Sequence, residues 1–357
     1  MKEIKILELF GGIGACSKAL KNLGIDYKIV DYVEIDKYAV KSFNAIHGTN
    51  FEPQDICKWD KDVEVDLIMH GSPCQDFSLA GKQAGGDKDS GTRSSLMYET
   101  IRIVEKLKPK YVIWENVKNL LSKKHKHNFD TYLETMENLG YTNYYQVLNA
   151  KDYGIPQNRE RVFTISILNS AVIQNFEFPP KQELKLKLKD MLEDEVDEKY
   201  YLSDKMVEYI SADNEKWTGN NDKSIINKSV ASAINTGEGS RRCDASNYIS
   251  NQVEENFNLK GSSYLRDFGS RGKIQNKEYC DTLTASMGTG GGNVPIFQNN
   301  LRIRKLTPCE VWRLMGFDDE DFEKASKVNS NTQLYKQAGN SIVVNVLEAI
   351  LTNLLLN

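Results

Sequence analysis

As far as Leu168 the sequence alternates short apolar runs with segments of helical period. The runs are Ile4 to Phe10, Tyr27 to Val33, Val65 to Met69, Tyr111 to Trp114, Tyr144 to Leu148 and Val162 to Leu168. Between them lie patterns such as Ser95 to Leu107, which reads as a helix and ends at Lys108-Pro109, where a proline cannot be carried on as helix. Strand and helix alternating in this way build a doubly wound α/β sheet. Ligands meet such sheets at the loops beyond the carboxyl ends of the strands. Cys74, Glu115 and the residues after Leu9 are expected at that edge.

The pattern changes near Phe178-Pro179-Pro180. A Lys-rich and then acidic stretch, Lys181 to Lys199, leads into a long region of weak periodicity rich in Asn, Ser and Gly. Within it, Asp281 to Asn293 holds a dense glycine run, which requires positive φ angles or close approach of another backbone, or else is a linker. Helical pattern returns at Pro308 to Phe317. The chain closes with Gln337-Ala338-Gly339-Asn340-Ser341 and an apolar helix, Ile342 to Leu355, that packs back on the first domain's sheet. The 357 residues suit about two domains. The expected division is a catalytic and cofactor-binding domain at 1–176, completed by 331–357, with a smaller domain of loops and short strands inserted at 177–330.

A net charge of −4 weighs against nucleic-acid binding, since phosphate contacts need Lys and Arg. Distribution matters more than the sum. Between Asn258 and Lys277 stand Lys260, Arg266, Arg271, Lys273 and Lys277 against Asp267 alone, and such a stripe either docks DNA or is a solvated loop. The cysteines at 16, 57, 74, 243, 280 and 309 form no C-x-x-C pair and no zinc spacing, so neither a metal nor disulfides are expected. No apolar stretch approaches the roughly 18 residues that span a bilayer. Met1-Lys2-Glu3-Ile4 enters a strand without a signal-peptide core, and the expected location is the cytoplasm.

Three segments carry the chemistry. His70-Gly71-Ser72-Pro73-Cys74-Gln75-Asp76-Phe77-Ser78 closes an apolar run with a proline-cysteine turn, which presents one thiol at the end of a buried strand. Trp114-Glu115-Asn116-Val117 follows the next run, and Gln157-Asn158-Arg159-Glu160-Arg161 precedes a later one. Arg159 and Arg161, two apart entering a strand, point to one face; solvent salt bridges are the alternative for them, and a surface carboxylate for Glu115. Nearer the N-terminus, Leu7 to Ala15 runs from a strand through Gly11, Gly12 and Gly14 into a helix, which either suits a nucleotide-like ligand lying against exposed backbone or is a tight structural turn. It is not a dinucleotide fingerprint, because Ser17 stands where the third glycine belongs. Glu34, at the end of the second strand, supplies a carboxylate suited to ribose hydroxyls, and Asp55-Ile56 a further contact for an adenosine.

In this order, from Leu7 to Val346, these segments resemble the DNA (cytosine-5)-methyltransferase family. The resemblance implies an S-adenosyl-L-methionine site in which Phe10, Gly12 and Gly14 pack the methionine and backbone end. Glu34 would take the ribose, Ile35 one adenine face, and Asp55 and Ile56 the adenine edge, with Pro73, Leu96 and Asn340 as further contacts. The sequence departs at Gly11 to Ala15, where the family commonly reads Ala-Gly-x-Gly-Gly. The resemblance also implies that Cys74 adds to carbon-6 of a cytosine and makes carbon-5 nucleophilic, while Glu115 donates a proton to ring nitrogen 3. Arg161 would hold Glu115 and the cytosine oxygen, with Arg159 beside it. The base must leave the duplex to meet the thiol. Gln75 and Ser78, with the Gly81–Gly91 loop, would close over DNA, and the inserted domain would read the sequence, Thr282-Leu283 matching a dipeptide usual there. Arg304-Lys305-Leu306-Thr307-Pro308 would brace that domain.

The expected partner is double-stranded DNA. Restriction–modification, with an endonuclease acting on the same site, is the family's usual setting; an orphan bacterial or phage enzyme is the other, and monomer is the family's habit. A transfer-RNA cytosine methyltransferase shares the thiol chemistry, but its usual Cys-Phe-Thr is not found here. A DNA-binding protein with a degenerate core would lack the intact Cys74, Glu115 and Arg161. A nicotinamide oxidoreductase lacks its glycine.

Overall fold

The computed structural model describes residues 3–73, 96–171, 175–203, 231–232, 234, 248–251 and 302–356. Cys74, Gln75, Ser78, the Gly81–Gly91 loop, the basic stripe at 258–277 and the glycine run with Thr282 and Leu283 lie outside these residues. The elements are β1 (Ile4–Leu9), α1 (Ala15–Asn22), β2 (Tyr27–Val33), α2 (Lys37–His47), β3 (Leu67–His70), α3 (Met97–Leu107), β4 (Tyr111–Val117), α4 (Lys126–Asn138) and β5 (Tyr141–Asn149). There follow β6 (Gln157–Asn158), β7 (Glu160–Leu168), β8 (Ala231–Ser232), β9 (Tyr248–Asn251), β10 (Arg302–Lys305), α5 (Pro308–Arg313), α6 (Asp319–Ser326), α7 (Asn331–Asn340) and α8 (Val344–Leu355).

A six-stranded sheet in the order β2-β1-β3-β4-β7-β5 forms the centre. Its first four strands are parallel, and β7 runs antiparallel to both neighbours. The sheet is therefore mixed. The reason lies in the connections: helices return the chain between β1, β2, β3 and β4, whereas β5 reaches β7 through ten residues, Ala150 to Arg159, that include only a short 3₁₀ turn and β6. So short a link joins antiparallel strands.

Strand alternation assigns the two faces. Leu7 and Leu9 enter the core with Met97, Ile103 and Val104 of α3 and Phe129, Tyr132 and Met136 of α4. Glu8 points the other way, beneath α1, where its buried carboxylate accepts the Ser17 amide at 3.1 Å and burial pushes its pKa up to about 7. α8 packs on α1 and buries Val344, Val346, Leu347, Ile350, Leu351 and Leu354. By length and hydropathy alone, Asn331–Leu355 could cross a membrane, which the sequence pattern did not suggest. It is broken at Ser341–Val343 into α7 and α8, and the buried α8 residues make it core.

Two compact units result: Met1–Asp194 with Lys228–Ser246 and Thr307–Asn357, and Glu195–Asn227 with Asn247–Leu306. Residues 177–194 and 307–330, which the sequence reading gave to the insertion, fall in the larger unit. A capping box starts α5, with Thr307 Oγ1 accepting the Glu310 amide at 3.2 Å and the Glu310 carboxylate accepting the Thr307 amide at 2.8 Å. Glu310 also accepts the Glu193 amide at 2.9 Å, Trp312 Nε1 donates to Leu334 O at 3.0 Å, and Lys18 pairs with Asp321 at 2.6 Å. In the smaller unit, β9 and β10 pair antiparallel from Arg302↔Asn251 to Lys305↔Tyr248, and Tyr201 bridges Arg304.

Candidate active site

The carboxyl ends of β1 and β2 build one half of the site. After Leu9 the backbone turns left-handed at Phe10 (φ 53°), Gly12 (φ 56°) and Gly14 (φ 82°) before α1 begins. At Gly14 only glycine fits, since a Cβ would lie 2.2 Å from His47 Nε2. Glu34 Oε2 accepts the Gly12 amide at 3.2 Å and Oε1 the Asp36 amide at 2.8 Å. Burial raises the Glu34 carboxyl above its ordinary range, while those amides pull it back. Gln54 N donates to Glu34 O at 2.8 Å, which draws the next loop alongside. There Asp55 caps a 3₁₀ turn, Ile56–Lys58, by accepting the Cys57 amide at 3.0 Å. Ile56 is buried in the core that Phe10 and Leu96 flank, whereas Ile35 is 70% exposed beside Glu34. Asn340, the last residue of α7, is exposed.

β3, β4 and β7 build the other half. Register places Val117 opposite Arg161 and Glu115 opposite Phe163, so Glu115 and Arg161 share a face diagonally. Arg161 Nε lies 3.1 Å from Glu115 Oε1. Burial raises the Glu115 carboxyl above the ordinary glutamate range, and the charges of Arg161 and Arg159 oppose that rise. Glu115, Arg159, Arg161, Leu148, Ile342 and Val343 line a small cavity. Gly71 borders it: a Cβ there would lie 3.8 Å from Glu115 Oε2 and from Ile342 Cδ1.

The segment leading to Cys74 is fixed from β4. Trp114 Nε1 donates to Ser72 Oγ at 3.0 Å, and Asn116 Nδ2 to Ser72 O at 3.4 Å. His70 stacks on Trp114, with ring centroids 5.6 Å apart and 6° between planes. Its Nε2 is 3.3 Å from the Tyr132 hydroxyl, and burial pushes its pKa down to about 3, so the ring is neutral. Ser72, Asn116 and Tyr132 were not among the sequence-derived site residues. The available signal was Trp114-Glu115-Asn116 itself, whose alternation aims Trp114 and Asn116 away from Glu115.

Arg159 and Arg161 differ in what they hold. Arg159 is 4% exposed and donates to Ile234 O at 2.5 Å, Gly339 O at 3.2 Å and Ser341 O at 2.8 Å. Its neighbour Gln157 donates to Leu314 O at 2.7 Å and accepts the Ile234 amide at 2.8 Å. Both brace the backbone around the cavity. Replacing Arg159 by Met leaves three carbonyls without their charged donor, and stability is expected to fall by about 3–5 kcal/mol, read from urea unfolding midpoints. Arg161→Met, at a side chain 21% exposed, costs under about 2 kcal/mol. Equal losses would mean that Arg159 braces nothing.

A mixed sheet carrying a glycine turn, a carboxylate at the second strand end and a Glu–Arg pair at the fourth has the fold of solved methyltransferases. Dnmt2 of S. pombe superposes with a TM-score of 0.67 over 99% of this chain and 98% of that one, at 21% identity; the Spodoptera frugiperda DNMT2 mutant gives 0.68 over 99% of each. Among relatives, the type II methyltransferase M2.ScrFI of Lactococcus lactis subsp. cremoris is 43% identical over 94% of this chain and 81% of its own length. The orphan methyltransferase M.SPRI of Bacillus phage SPR is 32% identical over 99% and 98%. The family model for C-5 cytosine-specific DNA methylases matches residues 4–355. The chain belongs to that family, and it is a DNA (cytosine-5)-methyltransferase.

Proposed function

We propose that the protein transfers a methyl group from S-adenosyl-L-methionine to carbon-5 of a cytosine in a specific duplex DNA sequence, through a covalent Cys74 adduct at carbon-6 of a flipped-out base. The observation that carries this is the Glu115–Arg161 pair in a small cavity bordered by Gly71, three residues before Cys74.

The β1–β2 edge fits the cofactor. A Cβ built on Gly12 meets nothing within 4 Å, so open space lies beside that backbone. Glu34 stands next to it as a ribose acceptor, the exposed Ile35 offers an apolar face for adenine, and Asp55 and Ile56 follow for its edge. Phe10, Gly14, Pro73, Leu96 and Asn340 complete the proposed set. When bound, the cofactor supplies an electrophilic methyl group on a sulfonium.

The chain's residues prepare the acceptor. The Cys74 thiolate forms a bond to carbon-6 while Glu115 gives its proton to ring nitrogen 3; the carbon-5–carbon-6 π pair shifts to carbon-4–carbon-5, and carbon-5 of the resulting enamine attacks the methyl group, whose bond to sulfur breaks. Loss of the carbon-5 proton to solvent, elimination of the thiolate and return of the nitrogen-3 proton to Glu115 then restore the ring and the enzyme. Arg161 orients Glu115 and meets the cytosine oxygen, and Arg159 holds the backbone behind them. Gln75 and Ser78 close over the DNA, and the inserted unit, with Thr282-Leu283, reads the sequence. Exposed Lys123, Lys124 and Lys126 stand where β4 hands over to α4, and phosphate contacts there offset the chain's net negative charge.

The same reading places the protein in the cytoplasm, as a monomer acting on double-stranded DNA. The type II relative supports a restriction–modification setting with an endonuclease that recognises the same site. Bisulfite sequencing of unmethylated plasmid incubated with protein and S-adenosylmethionine tests the function. Protection of one cytosine within a fixed short sequence is expected, and conversion of every cytosine overturns it. For the cofactor site, Glu34→Ala is expected to weaken cofactor binding by on the order of tenfold or more; an unchanged dissociation constant in calorimetry removes Glu34 from the site.

A further inference from the structure

The glycine turn is held by a residue that neither the motifs nor the proposed site includes. Gly12 is gripped at both ends of its backbone. Its amide donates to Glu34 Oε2 at 3.2 Å, and its carbonyl accepts from the Tyr32 hydroxyl at 2.6 Å. Tyr32 and Glu34 are two residues apart at the end of β2, so both reach the turn from one side of the strand. The Tyr32 ring is completely buried. It stacks on Phe43 with centroids 3.8 Å apart and 24° between planes, and tilts against Phe51 at 5.7 Å. These contacts leave the hydroxyl little freedom.

The same ring accounts for Gly11. Gly11 does not have a positive φ, so its backbone would accept any small side chain. Space excludes one instead: a Cβ there would lie 2.6 Å from Tyr32 Cε2, 2.8 Å from Cδ2 and 3.1 Å from Glu8 Cβ. Tyrosine at 32 and a bare backbone at 11 are a matched pair, the ring occupying the volume that an alanine methyl would need.

We infer that Tyr32 is a positioning residue for the cofactor turn: its hydroxyl fixes the Gly12 carbonyl, and with it the backbone that receives the methionine end, while its ring makes glycine obligatory at position 11. The inference rests on the proposed use of this turn by S-adenosylmethionine. Losing the hydroxyl leaves a partly buried carbonyl without its donor and frees the turn before binding, which weakens affinity without touching the reacting atoms.

Tyr32→Phe keeps the ring and its stacking. It is expected to weaken S-adenosylhomocysteine binding by on the order of tenfold in calorimetry and to raise the cofactor KM to match, with kcat retained at saturating cofactor. Thermal melts of the unliganded protein test the ring. Gly11→Ala is expected to lower Tm markedly when Tyr32 is present, but little in a Tyr32→Val background, where the ring's δ and ε atoms are gone. Wild-type affinity in Tyr32→Phe, or equal Gly11→Ala losses in both backgrounds, overturns the inference while leaving the cofactor reading standing. Failure of the wild-type protein to bind S-adenosylhomocysteine overturns both.

Discussion

Cys74→Ala is expected to abolish methyl transfer and to leave cofactor affinity unchanged. Without a nucleophile at carbon-6, carbon-5 of cytosine has no route to an enamine, and none of the described residues lining the cavity carries a thiol. The residues that lead to position 74 remain anchored, because Ser72 is held by Trp114 and Asn116 at 3.0 and 3.4 Å, so the variant should fold as the wild type does. DNA carrying 5-fluorocytosine at the target, where fluorine replaces the carbon-5 proton and cannot be lost as a cation, should trap a covalent complex with the wild-type protein and none with the variant. Residual methyl incorporation by Cys74→Ala would refute the covalent route. Lost cofactor binding would show that Cys74 supports the fold.

Glu115→Gln should lower the single-turnover rate of methyl transfer by ~10²- to 10⁴-fold, the range of general acid catalysis, with DNA and cofactor affinities within a few-fold. The pH dependence has a definite sign. Burial holds the Glu115 carboxyl above the ordinary glutamate range, so the proton needed for nitrogen 3 is kept to higher pH. Activity is lost as pH rises through that raised value. Glutamine has no proton to lose there, and this limb should vanish from its residual rate. Arg161→Met removes the nearer opposing charge, at 3.1 Å, and should move the limb to higher pH. A limb that stays in place in both variants belongs to another group.

The parallel part of the sheet was legible because β1, β3 and β4 are buried along most of their length, and these strands and the half-buried edge strand β2 stand out as apolar runs bounded by helices. Direction was not legible for β7. An apolar run reads the same whichever way it pairs, and only the short Ala150–Arg159 connection reverses it. Extended pairing also lengthened Tyr144–Leu148 to Tyr141–Asn149, a run whose middle is exposed or half-exposed. The edges of the compact units were not legible for a different reason. Glu193 meets Glu310 across 117 positions, and the helical pattern at Pro308 does not by itself say which unit that helix joins. Within the site, spacing alone put Glu34 at a strand end, but the Gln54–Glu34 bond that brings Asp55 beside it is visible only in the fold. Arg159 and Arg161 look equivalent in sequence; one faces carbonyls contributed 180 and 182 residues later, the other a carboxylate on the adjacent strand.

Those distant carbonyls have a consequence for how the protein comes into being. Arg159 and Gln157 leave the ribosome long before Ile234, Leu314, Gly339 and Ser341 do, and until then their side chains have no partners from those segments. The sheet from β1 to β7 can form during synthesis, but the wall of the cavity closes only when α7 and α8 arrive. A nascent chain that lacks α7 and α8 is therefore a scaffold whose cavity wall is unfinished, and the wall is set in one late step rather than growing with the sheet.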